Sequence, residues 1–86
     1  MEHTLLGIDL NLLMVFVVVY REGSVTRAAT ILGVTQPAIS NALLKLRTHF
    51  NDTLFRRQHG RMRPTVRAEQ IYQKLSPAID IIQQLQ

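Results

Sequence analysis

Residues 33–50, Gly33-Val34-Thr35-Gln36-Pro37-Ala38-Ile39-Ser40-Asn41-Ala42-Leu43-Leu44-Lys45-Leu46-Arg47-Thr48-His49-Phe50, decide how this chain reads. Thr35 is an N-cap residue, and Gln36 and Pro37 fall in the first helical turn, where a proline removes no hydrogen bond. Ile39, Leu43, Leu46 and Phe50 then recur at i, i+4, i+7, i+11, which is the buried stripe of an amphipathic helix. The opposite side carries Gln36, Ser40, Asn41, Lys45, Arg47 and Thr48, so it is amide and hydroxyl first and cationic afterwards.

On the N-terminal side, Gly33 stops a short helix that Ser24 caps and that runs from Val25 to Leu32. Val25, Ala28, Ala29 and Leu32 share one side of it, and the two alanines let a neighbouring helix approach closely. Two helices joined by Gly33-Val34-Thr35 have the helix-turn-helix layout, in which early residues of the second helix reach base edges in the major groove. Further upstream, Asp9 caps a helix from Leu10 to Arg21 that ends at Gly23. Its apolar residues cover nearly the whole circumference, including Leu12, Leu13, Val15, Phe16, Val17 and Val19. Such a helix needs cover on more than one side, part of it expected from a second subunit.

On the C-terminal side, Thr53-Leu54-Phe55-Arg56-Arg57 reads as a strand, Gln58-His59-Gly60-Arg61 as a turn and Met62-Arg63-Pro64 as a short return strand. This is a two-stranded wing, where Pro64 is tolerable because both strands are edges. Thr65 opens a last helix that runs to the end of the chain. In it Ala68, Ile71, Leu75, Ala78, Ile82 and Leu85 repeat at spacings of 3 and 4, a heptad seam that wants a partner helix. A rod of roughly 30 Å is comparable with the ~34 Å between successive major-groove faces, so a dimer built on it can space two reading heads. Pro77 is expected to interrupt and kink that rod.

The chain has 86 residues, which allows one small domain. A chain this short buries only about 60% of the surface its unfolded form exposes, so oligomerisation is expected. Seven of its ten cations, Lys45, Arg47, Arg56, Arg57, Arg61, Arg63 and Arg67, fall in one interval whose only acid is Asp52. The rest of the chain is net negative, and so concentrated a positive stretch points to a polyanion. There is no cysteine, which removes disulfides, thiolate metal sites and a Cys nucleophile, and a cytoplasmic setting fits best. The longest apolar run, Leu12 to Val19, is far too short to span a membrane, and no signal peptide precedes it. His3, His49 and His59 have no metal-like spacing and read as surface histidines, so no metal, cofactor or catalysis is expected.

The stretches Asp9-Leu10 through Phe16, Gly23-Ser24-Val25-Thr26-Arg27-Ala28-Ala29, Thr35-Gln36-Pro37-Ala38-Ile39-Ser40, Leu54-Phe55-Arg56-Arg57 and Pro64-Thr65 together resemble the N-terminal DNA-binding region of LysR-type transcriptional regulators. The resemblance covers about residues 9–86. It implies a mainly α fold, a winged helix-turn-helix over residues 1–64, with a three-helix core and a small β-hairpin wing, followed by a linker and dimerisation helix over residues 65–86. It also implies a homodimer that binds interrupted inverted repeats in double-stranded promoter DNA and regulates transcription. The effector-binding domain of full-length members, and with it any small-molecule effector, is expected to lie outside this fragment.

Carried onto this sequence, the expectation is that Gln36, Pro37, Ala38, Ser40 and Asn41 contact bases. Ser24, Thr26, Arg27, Thr35, Lys45, Arg57 and Arg61 are expected on the DNA backbone, and of Arg56 and Arg57, which alternate along a strand, the resemblance favours Arg57. Leu12, Phe16, Ala68, Ile71, Leu75, Ala78, Ile82 and Leu85 are expected in the dimer interface. The sequence departs from many relatives in placing Asn41 where they have arginine, which shifts the favoured base from guanine toward adenine. Leu44 on the outer side leaves two readings open: contact with a thymine methyl group, or cover for the wing. The competing function is a winged-helix module that docks a partner protein, its cations serving solubility. RNA binding is disfavoured because Phe16, Tyr20, Phe50, Phe55 and Tyr72 are assigned mostly to the core.

Overall fold

The four helices begin where side-chain oxygens can satisfy the free N–H groups of a first turn, as seen in a computed structural model that describes residues 4–5 and 8–85. Asp9 Oδ1 accepts from the Asn11 N–H at 2.7 Å and opens α1, Leu10–Glu22. Ser24 Oγ accepts from Arg27 N–H at 3.1 Å and opens α2, Val25–Leu32. Thr35 Oγ1 accepts from Ala38 N–H at 3.2 Å at the head of α3, Gln36–Phe50, and Thr65 Oγ1 from Ala68 N–H at 3.1 Å at the head of α4, Val66–Gln84. Gly23 and Gly33 end α1 and α2 in the left-handed region, at φ +64° and +69°. The expected caps are therefore all in place. His3 lies outside the described residues.

Preceding α1 is a small antiparallel hairpin that the sequence did not announce, β1, Thr4–Leu5, paired with β2, Ile8–Asp9. The wing is β3, Phe55–Gln58, paired with β4, Arg61–Pro64, in the register Phe55↔Pro64, Arg56↔Arg63, Arg57↔Met62, Gln58↔Arg61. The first strand starts and ends later than expected and the return strand begins one residue earlier, because His59 and Gly60 alone make the turn, both at positive φ (52° and 75°), as a tight hairpin turn requires. Leu54 is excluded from β3 by its own φ of +66°. Asp52 holds that conformation: its Oδ2 accepts from Leu54 N–H and from Thr65 Oγ1, each at 2.8 Å, while Leu54 O accepts from Thr65 N–H at 2.8 Å. The Thr65 hydroxyl and the Leu54 amide hold the Asp52 carboxyl below its ordinary pKa.

The core sits where α1 meets α2, α3, the wing and α4. Phe16, Val17, Val19, Ala28, Ile39, Leu46, Leu54, Phe55 and Ala68 are almost wholly covered. Phe16 and Phe55 lie with ring centroids 5.5 Å apart. Two expected dimer-interface residues therefore need correction. Phe16 and Ala68 are each 0% exposed within their own chain and have no surface to offer a partner.

The last helix docks on α1 through residues the heptad pattern overlooked. Tyr72 stacks on Tyr20 at 3.8 Å with the rings 5° from parallel, and Ile79 is buried. The Arg21 guanidinium donates to Tyr72 Oη (2.8 Å), Ser76 Oγ (3.0 Å) and Asp80 Oδ1 (3.0 Å), spanning two turns of α4. These contacts, Tyr72 first, raise the Arg21 pKa; burial raises that of Tyr20. Pro77 does not interrupt the helix, which runs unbroken from Val66 to Gln84. Pro77 and Gln73, whose carbonyl would have met the missing N–H, are both exposed, so water can take the freed acceptor.

Candidate nucleic-acid interface

The core stripe of α3 dictates what its outer side presents. With Ile39, Leu43 and Leu46 buried, the side turned away exposes Gln36, Pro37, Ala38, Ser40, Asn41, Leu44, Lys45 and Thr48. All five residues expected to contact bases are on this exposed surface. The α2–α3 turn that carries it is closed by a backbone hydrogen bond, Val34 N–H donating to Ala29 O at 3.0 Å across Gly33. Alanines at 28 and 29, 0% and 5% exposed, let α2 sit close beneath it.

The wing stands beside this ridge. A cleft of about 250 Å³ is lined by Ser40, Leu43 and Arg47 of α3, by Phe55, Arg57 and Met62 of the wing and by Val25 of α2. Strand alternation puts Arg57 on the same side of the hairpin as Phe55 and Met62 and thus next to α3. Arg56 falls on the other side, directly opposite Arg63. Like charges placed across a strand pair repel; an anion laid along that side would relieve them. Among the described residues, Lys45, Arg56, Arg57 and Arg63 have no ion-pair or side-chain hydrogen-bond partner, so their donors are available. Arg63 was not singled out from the sequence, and its pairing with Arg56 depends on a register that composition does not reveal.

The other expected backbone-contacting residues are more engaged. Arg27 is exposed but its Nε donates to Glu22 Oε1 at 2.9 Å. Ser24 and Thr35 use their hydroxyl oxygens as helix caps, leaving the hydroxyl protons as donors. Thr26 is exposed. Arg61 is turned toward the protein: its Nη2 lies 3.5 Å from Glu22 O, and a Cβ built on Gly23 would meet that nitrogen at 2.8 Å. With the Met62 N–H donating to Gly23 O at 2.9 Å, Arg61 ties the wing to the C-terminal end of α1. Arg61 is nonetheless exposed, and its other guanidinium N–H groups remain available as donors. Arg47 is likewise structural, donating from Nε to Thr53 O at 2.9 Å.

On a different side, α4 overhangs the body. Leu12, Ile71 and Leu75 are half-buried, Ala78 is exposed, and Ile82 and Leu85 are 46% and 82% exposed. Ile71 and Leu75 border a groove of about 670 Å³ whose apolar lining also includes Ile8, Leu13 and Phe50. Among the described residues, no three His, Asp or Glu side chains gather into a metal-binding group, and no helix is long and apolar enough to cross a membrane.

Known proteins share this arrangement. Residues 10–69 match the family described as "Bacterial regulatory helix-turn-helix protein, lysR family". The chain is 46% identical over 76 residues to the HTH-type transcriptional regulator LeuO of Escherichia coli (strain K12), spanning 88% of this chain and 24% of LeuO. It is 44% identical over 72 residues to the HTH-type transcriptional activator NahR of Pseudomonas putida, spanning 84% of this chain and 24% of NahR. It thus covers about a quarter of the length of these curated relatives. Among solved structures, a probable transcriptional regulator of Pseudomonas aeruginosa superposes with a TM-score of 0.86 at 42% identity, over 90% of this chain and 26% of that one. The BenM DNA-binding domain in a catB site 1 DNA complex superposes with a TM-score of 0.82 at 27% identity, over 91% of this chain and 88% of that one. A winged helix-turn-helix with these relatives over most of its length belongs to the bacterial regulatory helix-turn-helix proteins of the lysR family.

Proposed function

We propose that this chain binds double-stranded DNA sequence-specifically as a homodimer and that the protein containing it regulates transcription. In this reading α3 enters the major groove, with Gln36, Pro37, Ala38, Ser40 and Asn41 against base edges. Thr26, Arg27, Lys45, Arg57 and Arg61 take phosphates, with the Ser24 and Thr35 hydroxyl protons completing the backbone contacts. The observation that carries it is the polar, exposed ridge of α3 standing beside an arginine-rich wing whose Arg56, Arg57 and Arg63 have no ion-pair or side-chain hydrogen-bond partner among the described residues. The relatives named as regulators, and the BenM domain solved on DNA, support the same reading.

A second copy seats its α4 along the groove bordered by Ile71 and Leu75, with Ala78, Ile82, Leu85 and Leu12 completing the contact. A reader of genomic DNA works in the cytoplasm. No cofactor is needed by these residues, and any small-molecule effector acts through a part of the protein outside them. The test is a salt titration on a selected operator and on a scrambled duplex. With several phosphates contacted per subunit, log K falls steeply with log salt on both, and the operator is bound tighter throughout. Equal affinity for both duplexes, or affinity that ignores salt, contradicts the reading. Arg57→Ala weakens both duplexes alike, whereas Asn41→Ala weakens the operator selectively.

A further inference from the structure

We propose that Leu44 is a specificity-determining residue whose isobutyl group packs on the C5-methyl group of a thymine, beside the base pair that Asn41 reads. The inference rests on the assignment of α3 to the major groove made above. In α3 the core stripe Ile39, Leu43, Leu46, Phe50 is matched by a second stripe at the same spacing, Pro37, Asn41, Leu44, Thr48. The two are displaced by two residues, about 200° around the helix, so the second is the crest that meets whatever faces α3. Leu44 is on that crest and 61% exposed.

Cover for the wing is not its role. Leu43, not Leu44, lines the cleft between α3 and the wing, and Leu44 does not join the core. A lone exposed leucine elsewhere on a surface carries no message. Here its helical neighbours are Ser40 and Asn41 one turn before and Thr48 one turn after, all polar and exposed. An isobutyl group neither donates nor accepts a hydrogen bond. Seated over guanine or cytosine it would strip water from N7, O6 or the exocyclic amine and give nothing back. The thymine methyl is the one apolar group that the major-groove edges present. Three residues of helix rise about 4.5 Å, against about 3.4 Å per base step along a strand, so Leu44 reaches a pair adjacent to that met by Asn41.

The experiment first selects the preferred operator of the chain from a randomised duplex library. Each thymine of that operator is then replaced singly by deoxyuridine, which keeps every hydrogen-bonding group and removes only the methyl. The expected result is one position per half-site at which uracil weakens binding about fourfold, the worth of one buried methyl group. Leu44→Ala, a replacement that favours helix on an exposed position, weakens binding to the thymine operator by at least as much. It also abolishes the uracil effect at that position and no other. The inference is overturned if no thymine methyl matters, or if the uracil effect persists in Leu44→Ala, which would assign the methyl to Pro37 or Ala38. It is equally overturned if Leu44→Ala binds the operator as the parent does, which would turn Leu44 toward a protein partner. Failure of the selection to yield any preferred sequence overturns the DNA-reading assignment itself, and is distinguishable from the other three outcomes.

Discussion

At Asp52, one carboxylate joins the segment before β3 to the N-cap of α4, because its Oδ2 holds both the Leu54 amide and the Thr65 hydroxyl. Its pKa is depressed, the Thr65 hydrogen bond being the larger cause. A depressed carboxylate contributes stability above its unfolded pKa, about 3.9, and that contribution disappears as pH falls through the folded value. Asp52→Asn is therefore expected to be less stable than the parent at pH 7, with the difference narrowing below about pH 4; urea denaturation at both pH values measures it. A mutant whose deficit is unchanged by acid would show that the carboxylate charge is irrelevant. The glycines allow a companion comparison. Gly33→Ala meets open space and suffers only left-handed backbone strain, about 1 kcal/mol. Gly23→Ala has the same strain and in addition displaces the Arg61 guanidinium, 2.8 Å from the new Cβ. Because the displaced atoms are the far end of a flexible, exposed side chain, the two substitutions are expected to lower the melting temperature by similar amounts.

Between elements, the decisive contact is that of α1 with α4, and it fixes the angle at which the long helix leaves the body. The Tyr20–Tyr72 stack is the main part of it. Tyr72→Ala is expected to cost about 2 kcal/mol, whereas Asp80→Ala, which removes only a half-exposed partner of Arg21, is expected to cost less than about 1 kcal/mol. Equal losses in chemical denaturation would contradict that ranking. This is also where the sequence stopped being legible. Helix starts and stops were readable because a cap is a local event: Asp9, Ser24, Thr35 and Thr65 act on amides two or three residues away. The polar crest of α3 was readable for the same reason, since periodicity alone separates it from the core. The heptad seam counted apolar residues and passed over Tyr72 and Ser76, which bind Arg21 from more than fifty positions away. The contact of Arg61 was hidden in the same manner. A cation in a basic interval looks free until the fold brings Gly23 and the end of α1 beneath it.

For the molecule as a whole, the seam read from the sequence divides into a part that folds the chain and a part left over. Ala68 and the neighbouring stripe through Ile79 are consumed within one copy. Ala78, Ile82 and Leu85 remain on the overhang, in line with the groove at Ile71 and Leu75. Folding and association are therefore separable by substitution. Ile79→Ala empties a site that is 3% exposed and is expected to destabilise the fold by about 2–4 kcal/mol. Ile82→Glu alters a side chain already 46% exposed and is expected to leave the melting of one copy nearly unchanged while placing two like charges in the proposed contact between copies. Sedimentation equilibrium should then find Ile82→Glu monomeric at concentrations where the parent is dimeric. Its affinity for a single half-site should stay that of the parent, because α3 and the wing are untouched, and only the gain from presenting two half-sites on one duplex should be lost. An Ile82→Glu chain that remains dimeric would move the interface off the overhang. One that loses half-site binding as well would mean that α4 supports the reading head directly.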